Sequence, residues 1–350
     1  MSEDLWSEQD TSPAAIEAAL RELLNQRHAQ YEGYVPARVL NLVVIVDRQW
    51  KGEIANRLEK VGRYNASRTV LCAVERGRTT IDAVAAISYD VDPKPGSLAV
   101  TRENVEIEIG PQHLPVLDTI VDPILIKEVS TVVWAPHGHS EGVDALLGLA
   151  DVVLLDSAEE HDVHAALERI AKLLERVYVV DLAWLRSTPW RERIAATFDP
   201  PTLRPELRHI SGLTVRHRHD SGAAALLFVG WMGSRLGWRT GAMTRVNGNM
   251  KGKAAGRRQD VQVTLDASEM SVPGLEGVTI ETASGLEVSL SRGPGGLTAR
   301  RRRRDGREWT WRIVGASRGE GGILGEGVRQ ALLRDHTYGP ALEAARAMLP

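Results

Sequence analysis

The run Val39-Leu40-Asn41-Leu42-Val43-Val44-Ile45-Val46 constrains the fold more than any other feature of the chain. It is rich in β-branched residues and apolar almost throughout, with Asn41 the one exception. Such a run suits a central strand covered on both faces, because a half-exposed strand would alternate. A helical pattern follows, with Ile54, Leu58 and Val61 on one face, and then a second apolar strand over residues 68–74. Strand, helix and strand at this spacing form a crossover unit rather than a hairpin. The rhythm returns later, with strands predicted over 129–134, 152–155 and 178–181. Between them come a helix face of Ala145, Leu146 and Leu149 and a longer helix over 162–176. The longer helix carries a broad apolar stripe of Val163, Ala166, Leu167, Ile170, Leu173 and Leu174. Repeated crossovers of this kind predict an α/β fold with an open, largely parallel or mixed sheet flanked by helices.

The other segments set the expected domain organisation. Residues 1–34 read as an N-terminal helix and connector, capped at Thr11 or Ser12 with Pro13 in the first turn. Residues 35–240 form the α/β domain. Within it, Asp92-Pro93-Lys94-Pro95-Gly96 is a turn by composition. Val105-Glu106-Ile107-Glu108-Ile109 alternates with period two, which assigns it to a sheet edge or an antiparallel insertion. Thr188-Pro189-Trp190 starts a helix that Asp199-Pro200-Pro201 stops. A short strand is expected over 213–219, and then a wholly apolar helix over 223–236. In that helix Gly230 and Gly233 would admit a close neighbour. From 241 the chain turns strand-like and glycine-rich, which predicts a smaller C-terminal α+β domain over 241–350 with an antiparallel sheet. The boundary is expected between 238 and 257, where Gly248, Gly252 and Gly256 punctuate a basic polar run.

Composition then narrows the function. A net charge of −3 points to neither a nucleic acid nor a membrane surface as partner. The single cysteine, Cys72, excludes an intrachain disulfide and sits in an apolar strand as a small hydrophobe. No stretch approaches about 20 apolar residues, and residues 1–10 lack the basic and apolar regions of a signal peptide. A soluble cytoplasmic protein is the resulting expectation.

No chemical motif is complete. The first strand–helix junction reads Asp47-Arg48-Gln49-Trp50-Lys51-Gly52, without the glycines that bring a backbone against a pyrophosphate. The glycine-rich stretch over 315–327 reads as a loop entering a final helix. His137-Gly138-His139 follows a strand, but a third ligand such as Asp144 is only a guess, and no metal or cofactor is assigned. His217 and His219 alternate along one strand face. Ser157 ends a strand without a nucleophile elbow around it. Asp156 and Asp181 both end strands, where active sites form in this architecture. With Ser157 and Arg186 they make a candidate pocket, for which helix capping is the cheaper account. Between Arg292 and Arg312 eight arginines face two acids. The strand that bears them suits a charged edge or a docking face for an acidic protein, with Arg301 and Arg303 the candidate interface residues.

Several segments together resemble the glucose-6-phosphate dehydrogenase assembly protein family, OpcA. They are residues 38–44, Ser67-Arg68-Thr69 and residues 150–157. Further on come Asp181-Leu182-Ala183-Trp184-Leu185-Arg186-Ser187-Thr188-Pro189-Trp190-Arg191-Glu192 and residues 230–238, which carry Trp231 and Trp238. The matching pieces span roughly residues 36–240, while the C-terminal part matches by position and general character only. The resemblance implies a non-catalytic partner of glucose-6-phosphate dehydrogenase that promotes its active oligomer in the oxidative pentose phosphate pathway. It carries over no catalytic residue; Arg68, Trp184, Thr188, Pro189, Trp190, Trp231 and Trp238 are its scaffold. The chain departs from the family at Asn65-Ala66-Ser67-Arg68, where relatives tend to have His-Pro-Ser-Arg. The alternative is a sugar-phosphate binding protein or enzyme built on the strand ends.

Overall fold

A computed structural model describes residues 2–30, 39–62, 67–89, 101–293, 295–314 and 320–349. The turn expected at 92–96, Asn65 and Ala66, and residues 315–319 lie outside it. The chain divides into two compact units.

The first unit comprises Met1–Leu155, Arg176–Val180 and Leu324–Leu333. Its strands are β1 (Ser2–Glu8), β2 (Leu40–Asp47), β3 (Ser67–Val74), β4 (Asp82–Tyr89), β5 (Thr101–Ile109), β6 (Ser130–Trp134), β7 (Val152–Leu155) and β8 (Tyr178–Asp181). Among the described residues they form one sheet in the order β1-β4-β5-β3-β2-β6-β7-β8. From β5 through β3, β2 and β6 to β7 the pairing is parallel, while β4 is antiparallel to both β5 and β1. The helices are α1 (Pro13–Gln30), α2 (Lys51–Gly62), α3 (Leu117–Val121) and α4 (Ser140–Leu146). The apolar run singled out above is β2 at the middle of this sheet, with Leu42 to Val46 buried. Asn41 sits in the core without cost to the fold. Its amide donates to Ile126 O and Thr131 Oγ1, and its carbonyl accepts from Ile126 N. In α1, Ile16, Leu20 and Leu23 are buried as their spacing predicts.

Two expectations change here. The alternating segment is not an edge, because β5 lies between β3 and β4; of the two alternatives it meets the antiparallel one, in its pairing with β4. Its wetter face is ionic rather than solvated: Lys51 Nζ lies 2.7 Å from Glu106 and 3.1 Å from Glu108, and Arg78 pairs with Glu108 at 2.8 Å. The N-terminal residues, expected only to lead into a helix, supply β1, whose polar sequence carries almost no strand signal.

The second unit comprises Asp156–Glu175, Asp181–Ile323 and Arg334–Pro350. Its strands are β9 (Ile210–Arg218), β10 (Arg239–Thr240), β11 (Thr244–Val246), β12 (Asn249–Ala255), β13 (Asp260–Ser268), β14 (Leu275–Thr282), β15 (Glu287–Gly293), β16 (Gly296–Arg302) and β17 (Glu308–Val314). Among the described residues these nine make a sheet ordered β10-β12-β13-β9-β14-β15-β16-β17, with β11 on β12. All pairings are antiparallel except β9 with β13. The helices are α5 (Val163–Leu174), α6 (Leu182–Arg186), α7 (Thr188–Phe198), α8 (Gly222–Leu236), α9 (Glu320–Gln330) and α10 (Tyr338–Arg346); part of α9 is grouped with the first unit.

The sheet runs across the boundary expected at 238–257, because β9 lies between β13 and β14. The expected short strand is thus a nine-residue central one, and its sheet outnumbers the first in strands. Helix α8 is buried on nearly every side, as its composition requires. Gly230 lets α10 approach closely, since a Cβ there would lie 2.1 Å from Ala341 O. The glycines Gly321 to Gly327 lie inside α9 rather than in a loop. Among the described residues no helix is long and apolar enough to cross a membrane.

Candidate functional site

The strand-end residues chosen from the sequence come together in the second unit. Asp181 caps α6, its Oδ1 accepting from Ala183 N at 2.9 Å and from Ser157 N at 3.1 Å. Its Oδ2 accepts from Ser157 Oγ at 2.8 Å and from the Tyr338 hydroxyl at 3.0 Å. Four donors therefore fill a carboxylate that is 1% exposed. Asp156 is held as firmly. Arg186 grips it through two parallel bonds, Nη1 to Oδ1 at 2.9 Å and Nη2 to Oδ2 at 2.6 Å, and Ala158 N donates to it at 3.1 Å. This is the arrangement of helix caps and loop ties, with each acceptor engaged by the protein itself.

Burial pushes the Asp181 carboxyl up from 3.8 to about 6, with the Asp156 charge adding to the shift and the Ser157 and Tyr338 donors opposing it. The folded state then holds this proton more tightly than the unfolded chain. Stability contributed by the group is present at low pH and lost as pH rises from about 4 to about 6, by at most about 3 kcal/mol. Asp181→Asn keeps the shape, and both hydroxyls can turn to accept from the new amide. Urea titrations across this window should show the parent chain losing stability relative to the variant as pH rises. Parallel profiles would refute the assignment.

The tryptophan motif is structural and reaches a part of the chain far away in sequence. Trp184 Nε1 donates to Asp335 Oδ2 at 2.8 Å, and its ring packs 5.4 Å from that of Tyr338. The Arg191 guanidinium lies 3.4 Å over the same indole and donates to Trp184 O, Thr188 Oγ1 and Ser187 Oγ. Burial pushes Arg191 down to about 10, with the Asp335 charge opposing. Pro189 occupies the first turn of α7, and Trp190 is fully buried. Trp231 stays half-buried on α8 with its ring 5.6 Å from Phe228, while Trp238 is buried. Together these contacts fasten the start of α10 to α6 and α7. Sequence reasoning missed Asp335 and Tyr338 as members of this cluster and quoted Arg191 only within the motif. Nothing in Asp335-His336-Thr337-Tyr338 advertises a partner some 150 residues earlier.

In the first unit, Arg68 is buried in β3 beside its cross-strand neighbour Glu103 on β5. Its Nε donates to Glu103 Oε2 at 2.7 Å, and its Nη1 to Ile124 O. The sheet changes direction of growth between β2 and β6, where open α/β sheets hold ligands. There His137, Gly138 and His139 all adopt positive φ, 67°, 118° and 56°. His139 Nε2 lies 3.3 Å from Asp47 Oδ1, and the His137 ring packs 5.5 Å from that of Trp50. Burial lowers the His139 pKa, with Asp47 opposing. The strand–helix junction beside them carries Trp50 and lacks the Gly-x-Gly-x-x-Gly pattern of a dinucleotide-binding turn. Among the described residues no three groups gather to hold a metal. His217 is buried in β9, with Nδ1 2.7 Å from Arg218 O.

The arginine-rich strand β16 is not an edge, because β17 pairs along its whole length. Its charges split by face. Arg300 and Arg302 pair with Glu308 and Glu287 at 2.9 and 2.5 Å, whereas Arg301 and Arg303 lie 4.6 and 5.6 Å over the Trp309 ring. The exposed edge is β17, which carries Trp309 and Trp311.

Comparison with known proteins agrees with the sequence resemblance. A family model described as the N-terminal domain of a glucose-6-phosphate dehydrogenase subunit matches residues 58–172. One described as the C-terminal domain of that subunit matches residues 177–342. A "Putative OxPP cycle protein OpcA" of Synechococcus elongatus is 29% identical over 185 residues, 51% of this chain and 41% of that one. A protein of the same name from Synechocystis sp. is 28% identical over 123 residues, 34% of this chain and 26% of that one. The matched region is therefore less than half the length of these curated relatives. Among solved structures, a super-repressor mutant of Gal80p from Saccharomyces cerevisiae is 10% identical with a TM-score of 0.50, covering 89% of this chain and 94% of that one. That likeness concerns the fold alone. The two family models together run through both structural units, and the chain belongs to the OpcA family of glucose-6-phosphate dehydrogenase subunits.

Proposed function

We propose that the chain binds glucose-6-phosphate dehydrogenase and promotes its active oligomer, serving the oxidative pentose phosphate pathway in the cytoplasm without catalysing a reaction itself. The observation that carries this reading is the family match over both units. The strand ends support it, since Asp156 and Asp181 are engaged by Arg186, Ser157, Tyr338 and backbone amides rather than aimed at an open site. The same engagement weighs against the alternative of a sugar-phosphate enzyme at those residues.

An activator of this kind acts by binding one state of its partner better than another. Moving an equilibrium from 1:99 to 99:1 takes about 10⁴-fold tighter binding to the favoured state, about 5.5 kcal/mol. Mixing the purified chain with the dehydrogenase of the same organism should give a complex of higher mass and a raised turnover. No complex together with unchanged turnover would refute the reading. Within it, the Trp309 face that carries Arg301 and Arg303 is the proposed contact. Arg301→Glu with Arg303→Glu should weaken complex formation at least tenfold at low salt, with the fold intact by circular dichroism. Unchanged affinity would remove this face from the interface.

A further inference from the structure

A cleft of about 230 Å³ in the second unit is lined by five arginines and no carboxylate. They come from three separate stretches of the chain. Arg204 and Arg208 sit on the short helical turn before β9, Arg235 in the last turn of α8, and Arg257 and Arg258 in the turn between β12 and β13. The floor includes Leu207, Leu236 and the buried Trp238. The chain as a whole carries −3, so five positive charges converging on one concavity are a marked departure.

All five arginines are exposed. Among the described residues, no acidic side chain pairs with any of them. Arg204 donates to Asp199 O at 2.7 Å, and Arg258 Nη1 lies 3.4 Å from His209 Nε2, so these two are positioned by neutral groups. Arg257 lies against Gly237 at the end of α8, where a Cβ would meet its Nε at 3.4 Å. The negative end of that helix favours a cation there. Arg204, Arg257 and Arg258 are thereby placed at the cleft by neutral groups and packing, with their charge unspent. By contrast, Arg68, Arg78, Arg186, Arg300, Arg302 and Arg346 all pair with carboxylates.

We infer that this cleft binds a small phosphate-bearing metabolite. Guanidinium forks match phosphate oxygens in pairs, and several forks around one concavity suit a dianion better than a single carboxylate. The volume lies below the roughly 300–1,000 Å³ of sites for drug-sized ligands, which suits a monophosphate of one ring or less. The apolar floor offers a surface to the body of such a molecule, with the phosphate at the arginine rim. The site stands apart from the Trp309 face, and its existence does not depend on the dehydrogenase reading.

The test is calorimetric titration of the full chain at low ionic strength with inorganic phosphate, a hexose monophosphate and the free hexose. Saturable binding of the phosphates but not of the free hexose is expected. Arg235→Ser with Arg257→Ser should weaken it at least tenfold, while Arg301→Glu with Arg303→Glu leaves it unchanged. The serine variant removes no ion pair among the described residues, and unchanged thermal unfolding will confirm its fold. If neither phosphate binds at millimolar concentration, or if the serine variant binds as the parent does, the proposal fails. If the serine variant instead loses the dehydrogenase while the parent ignores phosphate, the cleft is a protein contact and the metabolite site is refuted.

Discussion

Arg68→Ala is expected to destabilise the chain by about 3–5 kcal/mol, because it takes the guanidinium partner away from the buried Glu103 carboxylate in the sheet of the first unit. Glu103 is 2% exposed, and Arg68 Nη2 and Nε lie 2.5 and 2.7 Å from the same carboxylate oxygen. The two residues are register neighbours on β3 and β5, so the sheet itself holds the pair together. The loss also frees Ile124 O from its donor. Urea unfolding of Arg68→Ala, Glu103→Leu and the Arg68→Met/Glu103→Leu double variant separates the causes. The double variant should recover part of the stability lost by Arg68→Ala, since it replaces both members of the buried pair by apolar side chains. A cost below about 1 kcal/mol for Arg68→Ala would mean that the pair is solvated, and the burial argument would fall.

Gly230→Ala should cost about 3 kcal/mol in the second unit, although alanine is the better helix former by about 1 kcal/mol. The new Cβ would meet Ala341 O at 2.1 Å and Ala345 N at 3.0 Å, both backbone atoms that cannot swing aside. Helix α10 must therefore shift, and with it the Tyr338 and Asp335 contacts at its start. Gly233→Ala is the matched control. Its nearest new neighbour is Thr240 Cγ2 at 3.3 Å, a side-chain atom that can yield, so its cost should be small. Thermal unfolding and proteolysis of the segment after Arg334 measure both. Equal stability of the two variants would show that the helices are not packed through Gly230.

Much of the first unit was legible because strong apolar runs overrule local ambiguity. Residues 40–47 and 67–74 pair as parallel neighbours, as the crossover spacing predicted. What failed did so for identifiable reasons. Alternation in β5 reports one ionic face, and an ionic face looks the same in sequence whether water or Lys51 and Arg78 supply the charge. For β16 the charge run suggested an exposed edge, but which of two neighbouring strands forms the edge is decided by pairing, and β17 covers β16 along its whole length. The strand-end cluster was half legible. Asp156, Ser157, Asp181 and Arg186 lie close in sequence and were chosen together, whereas Tyr338 enters from 157 residues away.

The sequence by itself determined the α/β class, the parallel core and the family, because these rest on periodicity and on contiguous motifs such as Trp184 to Trp190. Only the tertiary structure decided what Asp181 does. A carboxylate at a strand end is equally suited to chemistry or to capping, and the choice lies with the donors that surround it. Here Ala183, Ser157 and Tyr338 claim all of its acceptor positions while burial raises its pKa. The five-arginine cleft was likewise settled by folding, since three stretches spread over residues 204–258 carry no joint signal until β9, α8 and the β12–β13 turn meet. Periodicity is a local property of a chain; convergence of charge is a property of its fold.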